Sequence, residues 1–168
     1  MTASIYVACL AAYNNGYNHG HWVDLNLGLD EVNKAIAYIL KTSPIEQAEE
    51  WAVRAYEGFG DLKLSESTDL ETYIAYAQFL AEHGEELGSA LLNNIRGDLD
   101  DARRYLEDAY HGEYDSEVKF TEKMAPELME IPTHLEFYID YERMARDWFI
   151  NDYFSVKVGY TYHIFSHP

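Results

Sequence analysis

The chain has 168 residues with 30 acidic against 12 basic side chains, a formal charge of -18, yet 48% of it is hydrophobic and 15% aromatic. So apolar a composition excludes an acidic disordered tail, which lacks the side chains that offset chain entropy. So negative a surface repels phosphate backbones and anionic lipid, so no direct nucleic-acid binding and no membrane binding are expected, and a macromolecular partner should be basic.

In chain order, Ser4 to Leu10 is rich in Ile, Val and Tyr and predicts a strand. Asn14-Asn15-Gly16 tolerates positive φ and predicts a turn, after which His21 to Leu25 returns as a second strand. Asp30 is placed to cap a helix whose apolar residues Val32, Ala35, Ile36, Ile39 and Leu40 recur at three and four. Ser43-Pro44-Ile45-Glu46 has the form of a capping box and predicts at least one more helical turn. Trp51, Val53 and Ala55 alternate with Ala52, Arg54 and Tyr56 as a third strand, closing a ββαβ unit near Gly58 and Gly60.

From there to about residue 150 the apolar period is helical. Thr68-Asp69-Leu70-Glu71 opens a helix with Tyr73, Ile74, Ala77 and Leu80 on one face and Gly84 past its end. Glu85 to Arg96 continues as a short helix stopped by Gly97. Leu99, Ala102, Tyr105, Leu106, Ala109 and Tyr110 form an apolar stripe ended by His111-Gly112. Asp115 or Ser116 caps the next helix, which Pro126 is expected to interrupt. Thr133-His134-Leu135-Glu136 predicts the start of a long helix with Leu135, Tyr138, Tyr141, Ala145, Trp148 and Phe149 inward. Phe154, Val156 and Val158, then Tyr160, Tyr162 and Ile164, alternate as strands about Gly159. The fold class is α+β, with strands at the ends and helices between.

The longest apolar run, Ile5 to Tyr13, is nine residues, against roughly 20 for a spanning helix, and no basic residue precedes it as in a signal peptide. A single cysteine, Cys9, excludes an intrachain disulfide and fits a reducing compartment, so a cytoplasmic protein is expected. His19-Gly20-His21 has two imidazoles for a metal but no third ligand at metal-site spacing, and two edge histidines are the simpler reading. No nucleophile elbow, P-loop or dinucleotide fingerprint occurs, and carboxylate pairs are too common among so many acids to mark a glycosidase. Asp98-Leu99-Asp100-Asp101 lacks the Gly and terminal Glu of a calcium loop. Neither catalysis nor a cofactor is expected.

What remains is the acids as a collective. Residues 46–152 hold 27 acids and nine bases, while both ends are near neutral. Along this stretch recur Glu46, Glu49 and Glu50; Glu82, Glu85 and Glu86; Asp98, Asp100 and Asp101; Glu107 and Asp108; Glu113, Asp115 and Glu117; Glu122, Glu127 and Glu130; and Asp140, Glu142 and Asp147. Arg103, Arg104, Lys119, Lys123, Arg143 and Arg146 offer helical partners. Solubility needs a net charge of only roughly 2–8 in magnitude, so the excess is either a solvated surface or an acidic interaction surface.

Ordered segments then carry a resemblance. Ile5-Tyr6-Val7, Tyr13-Asn14-x-Gly16 and Gly20-x-Trp22-x-Asp24-Leu25 resemble the N-terminal signature of the ArdA antirestriction proteins. Tyr56-Glu57-Gly58-Phe59, Asp108-Ala109-Tyr110-x-Gly112-Glu113-x-x-Ser116-Glu117 and Tyr138-x-Asp140-Tyr141-Glu142-x-x-Ala145-Arg146-Asp147 extend it over nearly the whole chain. The resemblance implies a DNA mimic encoded on mobile genetic elements, whose carboxylates imitate the phosphates of bent DNA. The implied partner is a type I restriction–modification enzyme, its specificity and modification subunits, whose DNA groove the protein occupies.

It also implies an elongated chain of three small domains, here 1–61 (ββαβ), 62–110 (helical) and 111–168 (α+β), the last joining two copies into a homodimer. The family's antirestriction motif is placed around Leu128–Arg146, and an apolar seam at Phe137, Tyr138 and Tyr141 is the expected dimer interface. A dimer would hold 60 carboxylates, enough to match on the order of 100 Å of duplex at one charge per roughly 1.7 Å. The rival readings are an acidic adaptor for another basic DNA-binding protein, and an enzyme with a carboxylate pair.

Overall fold

The computed structural model describes residues 2–65 and 67–168. The chain forms two compact units, Met1–Ser89 and Ala90–Pro168. Each is built on a three-stranded antiparallel sheet, so the mixed α+β expectation holds.

In the first unit the order is β1 (Ser4–Cys9), α1 (Leu10–Asn14), β2 (Gly20–Asp24), a 3₁₀ turn (Leu25–Leu27), α2 (Leu29–Lys41), β3 (Trp51–Glu57) and α3 (Leu70–His83). Strand β1 is central, pairing Ile5 with Val23 and Tyr56, and Val7 with His21 and Val53. Burial alternates as a period of two dictates: Ile5, Val7 and Val23 turn inward to meet Val32, Ile36 and Ile39 of α2 in the buried core. Gly28, at φ +92°, makes the sharp entry to α2, so the helix starts at Leu29 and Asp30 lies in its first turn rather than capping it.

Two local readings are corrected here. The Ser43 box opens no helix: its hydroxyl accepts from Ile45 N at 3.2 Å, and Gln47 at φ +59° turns the chain away from helical geometry. The Thr68 box is shifted by one residue. Asp69 caps α3 by accepting from Thr72 N at 2.7 Å, and the Thr72 hydrogen bonds hold its carboxyl below the usual range.

Helix α4 (Glu85–Asn94) ends in a turn at Arg96 and Gly97, both at positive φ, as the stop signal requires. The second unit then runs α5 (Leu99–Asp108), β4 (Tyr110–Tyr114), α6 (Glu117–Leu128), a 3₁₀ turn (Thr133–Tyr138), α7 (Tyr141–Asn151), β5 (Tyr153–Val158) and β6 (Thr161–Ser166). Strand β4 was not expected, because His111-Gly112 reads as a breaker. It instead forms a bulge between Tyr110 and Gly112 in a strand paired with β6. The sheet is ordered β4-β6-β5, so the last strand is its centre.

Registry assigns the faces. Phe154, Phe165 and Tyr110 share one face, on which Tyr105 of α5 packs at 5.0 Å from Phe154. Tyr153, Ser155 and Ile164 share the other, where Phe120 of α6 sits fully buried, 5.0 Å from the Tyr153 ring and 6.4 Å from Trp148 of α7. Pro126 does not end α6, which runs to Leu128. It lies in the last turn, so almost no helix follows it to be kinked. The long helix expected from Thr133 is two pieces: a 3₁₀ turn, a break at Ile139-Asp140, then α7 capped by Asp140, which accepts from Arg143 N at 3.1 Å. As a result Leu135 and Tyr138 point outward rather than into the core.

Candidate functional site

The acidic side chains lie where amphipathic periodicity puts them, on the polar faces of helices and in loops. Glu46, Glu49 and Glu50 lie in the loop before β3, Glu82 on α3, Glu85 and Glu86 at the start of α4. Asp98, Asp100, Asp101, Glu107 and Asp108 follow α5; Glu113 and Asp115 flank the end of β4; Glu117, Glu122 and Glu127 follow α6, with Glu130 beyond it. Asp140, Glu142 and Asp147 belong to α7 and its cap. All are exposed except Glu85, Asp101 and Glu117, which are half-buried.

Some of these carboxylates also hold the fold. Asp98 caps α5 by accepting from Asp101 N at 3.1 Å. Glu85 accepts from Gly60 N at 3.1 Å, and Glu117 accepts from the Ser155 hydroxyl at 2.6 Å. These groups contribute both structure and charge.

The basic residues do little to cancel the field. Arg104 pairs with Asp101, and Lys119 with Glu122 at 3.4 Å, both i,i+3 neighbours on open helix faces. Others lie over aromatic rings: Arg54 at 4.7 Å from Tyr13, Lys123 at 5.7 Å from Tyr114, Lys157 at 5.4 Å from Tyr162. The last turns of α5 and α6 contain Glu107, Asp108 and Glu127 but no basic residue. Negative charge at a helix C-terminus opposes the macrodipole, by roughly 0.3–1 kcal/mol each at an exposed site. That placement serves stability poorly.

The apolar seam expected for dimerisation is placed unevenly. Phe137 and Tyr138 are 96% and 83% exposed on the 3₁₀ turn, while Tyr141, at the start of α7, is half-buried. Leu128, Met129, Leu135 and Ile150 of the same unit are exposed as well. So much uncovered apolar surface in a short stretch is of the kind interaction surfaces show. A continuous helix would place Phe137, Tyr138 and Tyr141 on one face; the break at Ile139-Asp140 leaves the first two uncovered.

The histidines have structural surroundings. His19 Nε2 lies 2.7 Å from the Ile39 carbonyl oxygen at the end of α2, and His21 is exposed on β2. Among the described residues no group of three or more His, Cys, Asp or Glu is arranged to hold a metal ion. No described helix is long and apolar enough to cross a membrane. In the second unit, His163 is hydrogen-bonded to the Tyr110 hydroxyl at 2.7 Å, and His111 Nε2 is buried without a partner among the described residues, between Phe120 and Tyr153. Burial pushes both imidazoles below the usual histidine range, with Glu113 partly opposing this at His163.

Because the folded pKa values are depressed, the unfolded chain binds more protons below about pH 6.5. The stabilisation is therefore complete above that pH and is lost as pH falls through the folded values. The urea midpoint of the second unit is expected to drop between pH 7 and pH 5.5. His111→Leu removes an unpartnered buried polar atom and should flatten that drop without lowering the midpoint at pH 7. An equally steep drop in the variant would assign the effect elsewhere.

Fold and surface together define a small acidic α+β protein that presents many exposed carboxylates. The family model described as antirestriction protein (ArdA) matches residues 5–162. The chain belongs to this antirestriction family, and its partner in general terms is a restriction–modification enzyme. Comparison with curated proteins returns no match.

Proposed function

We propose that this antirestriction protein acts as a DNA mimic. Its carboxylates occupy the DNA-binding groove of a type I restriction–modification enzyme, on the specificity and modification subunits, and block DNA binding competitively. The observation that carries this reading is an acidic surface left uncancelled, with cations laid on tyrosine rings and acids kept at helix C-termini against the local dipole. The three-domain division and a homodimer joined through Phe137, Tyr138 and Tyr141 belong to the same proposal, as does a cytoplasmic site of action. Imitating phosphates rather than bases makes the inhibition indifferent to the enzyme's target sequence.

The test is a competition titration, in which labelled duplex on a type I methyltransferase core is challenged at two salt concentrations. Displacement at one dimer per enzyme, weaker at higher salt, is the expected result. The same salt increase should raise the protein's own melting temperature by screening self-repulsion. No displacement by folded protein would shift the reading to an acidic adaptor of another basic DNA-binding protein.

A further inference from the structure

The first unit has a second surface of different character, in which aromatic rings stand beside two carboxylates. One face of its sheet packs on α2; on the other Ala8 is buried and Ser4, Tyr6 and Asp24 are half-buried, while the outer strands present exposed residues. Registry places Ser4, Asp24 and Glu57 in one row across that second face, and Tyr6, Trp22 and Ala55 in the next. Neighbouring strands lie about 4.8 Å apart and alternate residues about 7 Å along a strand, so the aromatic row sits one step from two flanking carboxylates. Trp22 is 49% exposed, Ala55 and Glu57 are exposed, and Glu57 has no ion pair among the described residues.

The aromatic row is held in place before any partner arrives. The Tyr6 ring lies over Gly20 on β2: a Cβ there would meet its Cζ at 3.0 Å and the Val7 carbonyl oxygen at 2.4 Å. Its hydroxyl reaches Asn18 Oδ1 at 3.5 Å, and Trp22 packs edge-on against it at 5.6 Å between centroids. Ring over glycine is a known way to pin an edge strand, and it leaves the indole of Trp22 turned toward solvent. A fixed ring loses little entropy on docking.

We propose that this face is a short-range docking platform for arginine side chains of the protein's basic partner. The guanidinium would stack on the exposed Trp22 indole, with Tyr6 edge-on beneath it, and pair with Asp24 or Glu57. Charge complementarity fixes the kind of occupant: π faces beside Glu57 and Asp24, whose Oδ1 also accepts from Asn26 N at 2.9 Å, suit a planar cation, and arginine both stacks and hydrogen-bonds where lysine is a point charge. The proposal rests on the reading of a basic target. It adds to the acidic helices a contact in which ring stacking supplies part of the strength, and that part is less sensitive to salt than charge pairing.

Two measurements test it separately. In the first, indole N–H signals of the full-length protein are followed while octa-arginine or octa-lysine is added. Trp22 should shift while Trp51 and Trp148 move less, and octa-arginine should bind several-fold more tightly than octa-lysine. Trp22→Ala should abolish that preference, and Trp22→Tyr should restore most of it. An unmoved Trp22 signal at saturation, or equal affinity for both peptides, would overturn the platform whatever the enzyme does. In the second, Trp22→Ala should weaken displacement of DNA from the methyltransferase core about five- to tenfold with an unchanged salt slope. Wild-type affinity in that variant would remove the platform from the complex and leave the mimicry intact. Failure of the wild-type protein to displace DNA, with the peptide preference present, would sink the mimicry and keep the platform for another basic partner.

Discussion

Tyr138→Asp is expected to turn the proposed homodimer into a monomer. Phe137 and Tyr138 stand 96% and 83% exposed on a 3₁₀ turn between two helices that pack together, so the free protomer gains nothing from them. Burying one such ring contributes about 1.5–3 kcal/mol, and a two-fold interface counts each residue twice. Asp at 138 removes that gain and places two unpaired carboxylates in the seam, on a chain already at -18. The dissociation constant should rise by at least about a thousandfold, equivalent to roughly 4 kcal/mol. Sedimentation equilibrium should then show a single 19.4 kDa species where the wild type shows twice that mass. The far-UV circular dichroism should not change, because substitutions at exposed positions leave the fold intact. An unchanged dimer would move the interface elsewhere, and a monomeric wild type would sink the seam.

What was legible in the sequence is what short-range physics decides. The first sheet follows from alternation in Ser4–Cys9 and Trp51–Glu57, and Gly84 and Gly97 mark helix ends where they stand. Strand β4 was not legible: Tyr110-His111-Gly112-Glu113-Tyr114 has no β-branched residue and follows an apolar helical stripe without a break. It is a strand because β6, some fifty residues later, supplies its ladder. Between Thr133 and Asn151 two capping signals compete, and the local pattern does not say that Asp140 restarts the helix and turns Tyr138 outward.

The acidic field itself could be read from composition alone. Which carboxylates also serve as caps or take a serine hydroxyl, such as Glu117 with Ser155, depends on contacts distant in sequence. The aromatic face of the first sheet was hidden for the same reason. Tyr6 and Trp22 become neighbours only once β1 and β2 are paired.

Phe120→Ala should do the most damage to stability, and its effect on inhibition separates two accounts of the acidic surface. Phe120 is fully buried, with ring centroids of Tyr153 at 5.0 Å, Tyr114 at 5.1 Å, His111 at 5.7 Å and Phe149 at 5.9 Å around it. Truncating such a residue leaves a cavity where several rings met edge to face, at a cost of about 3–5 kcal/mol. That is a large share of the roughly 5–15 kcal/mol that holds an ordinary domain together. The near-UV circular dichroism of the second unit should collapse and its urea midpoint should fall steeply, whereas Phe120→Leu should retain most of both. A midpoint near the wild-type value would mean the ring cluster does not hold the unit. The net charge is the same in all three proteins. If bulk charge blocked the enzyme's groove, Phe120→Ala would still inhibit. If the carboxylates act through fixed spacing along α5, α6 and α7, inhibition should fall with the near-UV signal and return with Phe120→Leu.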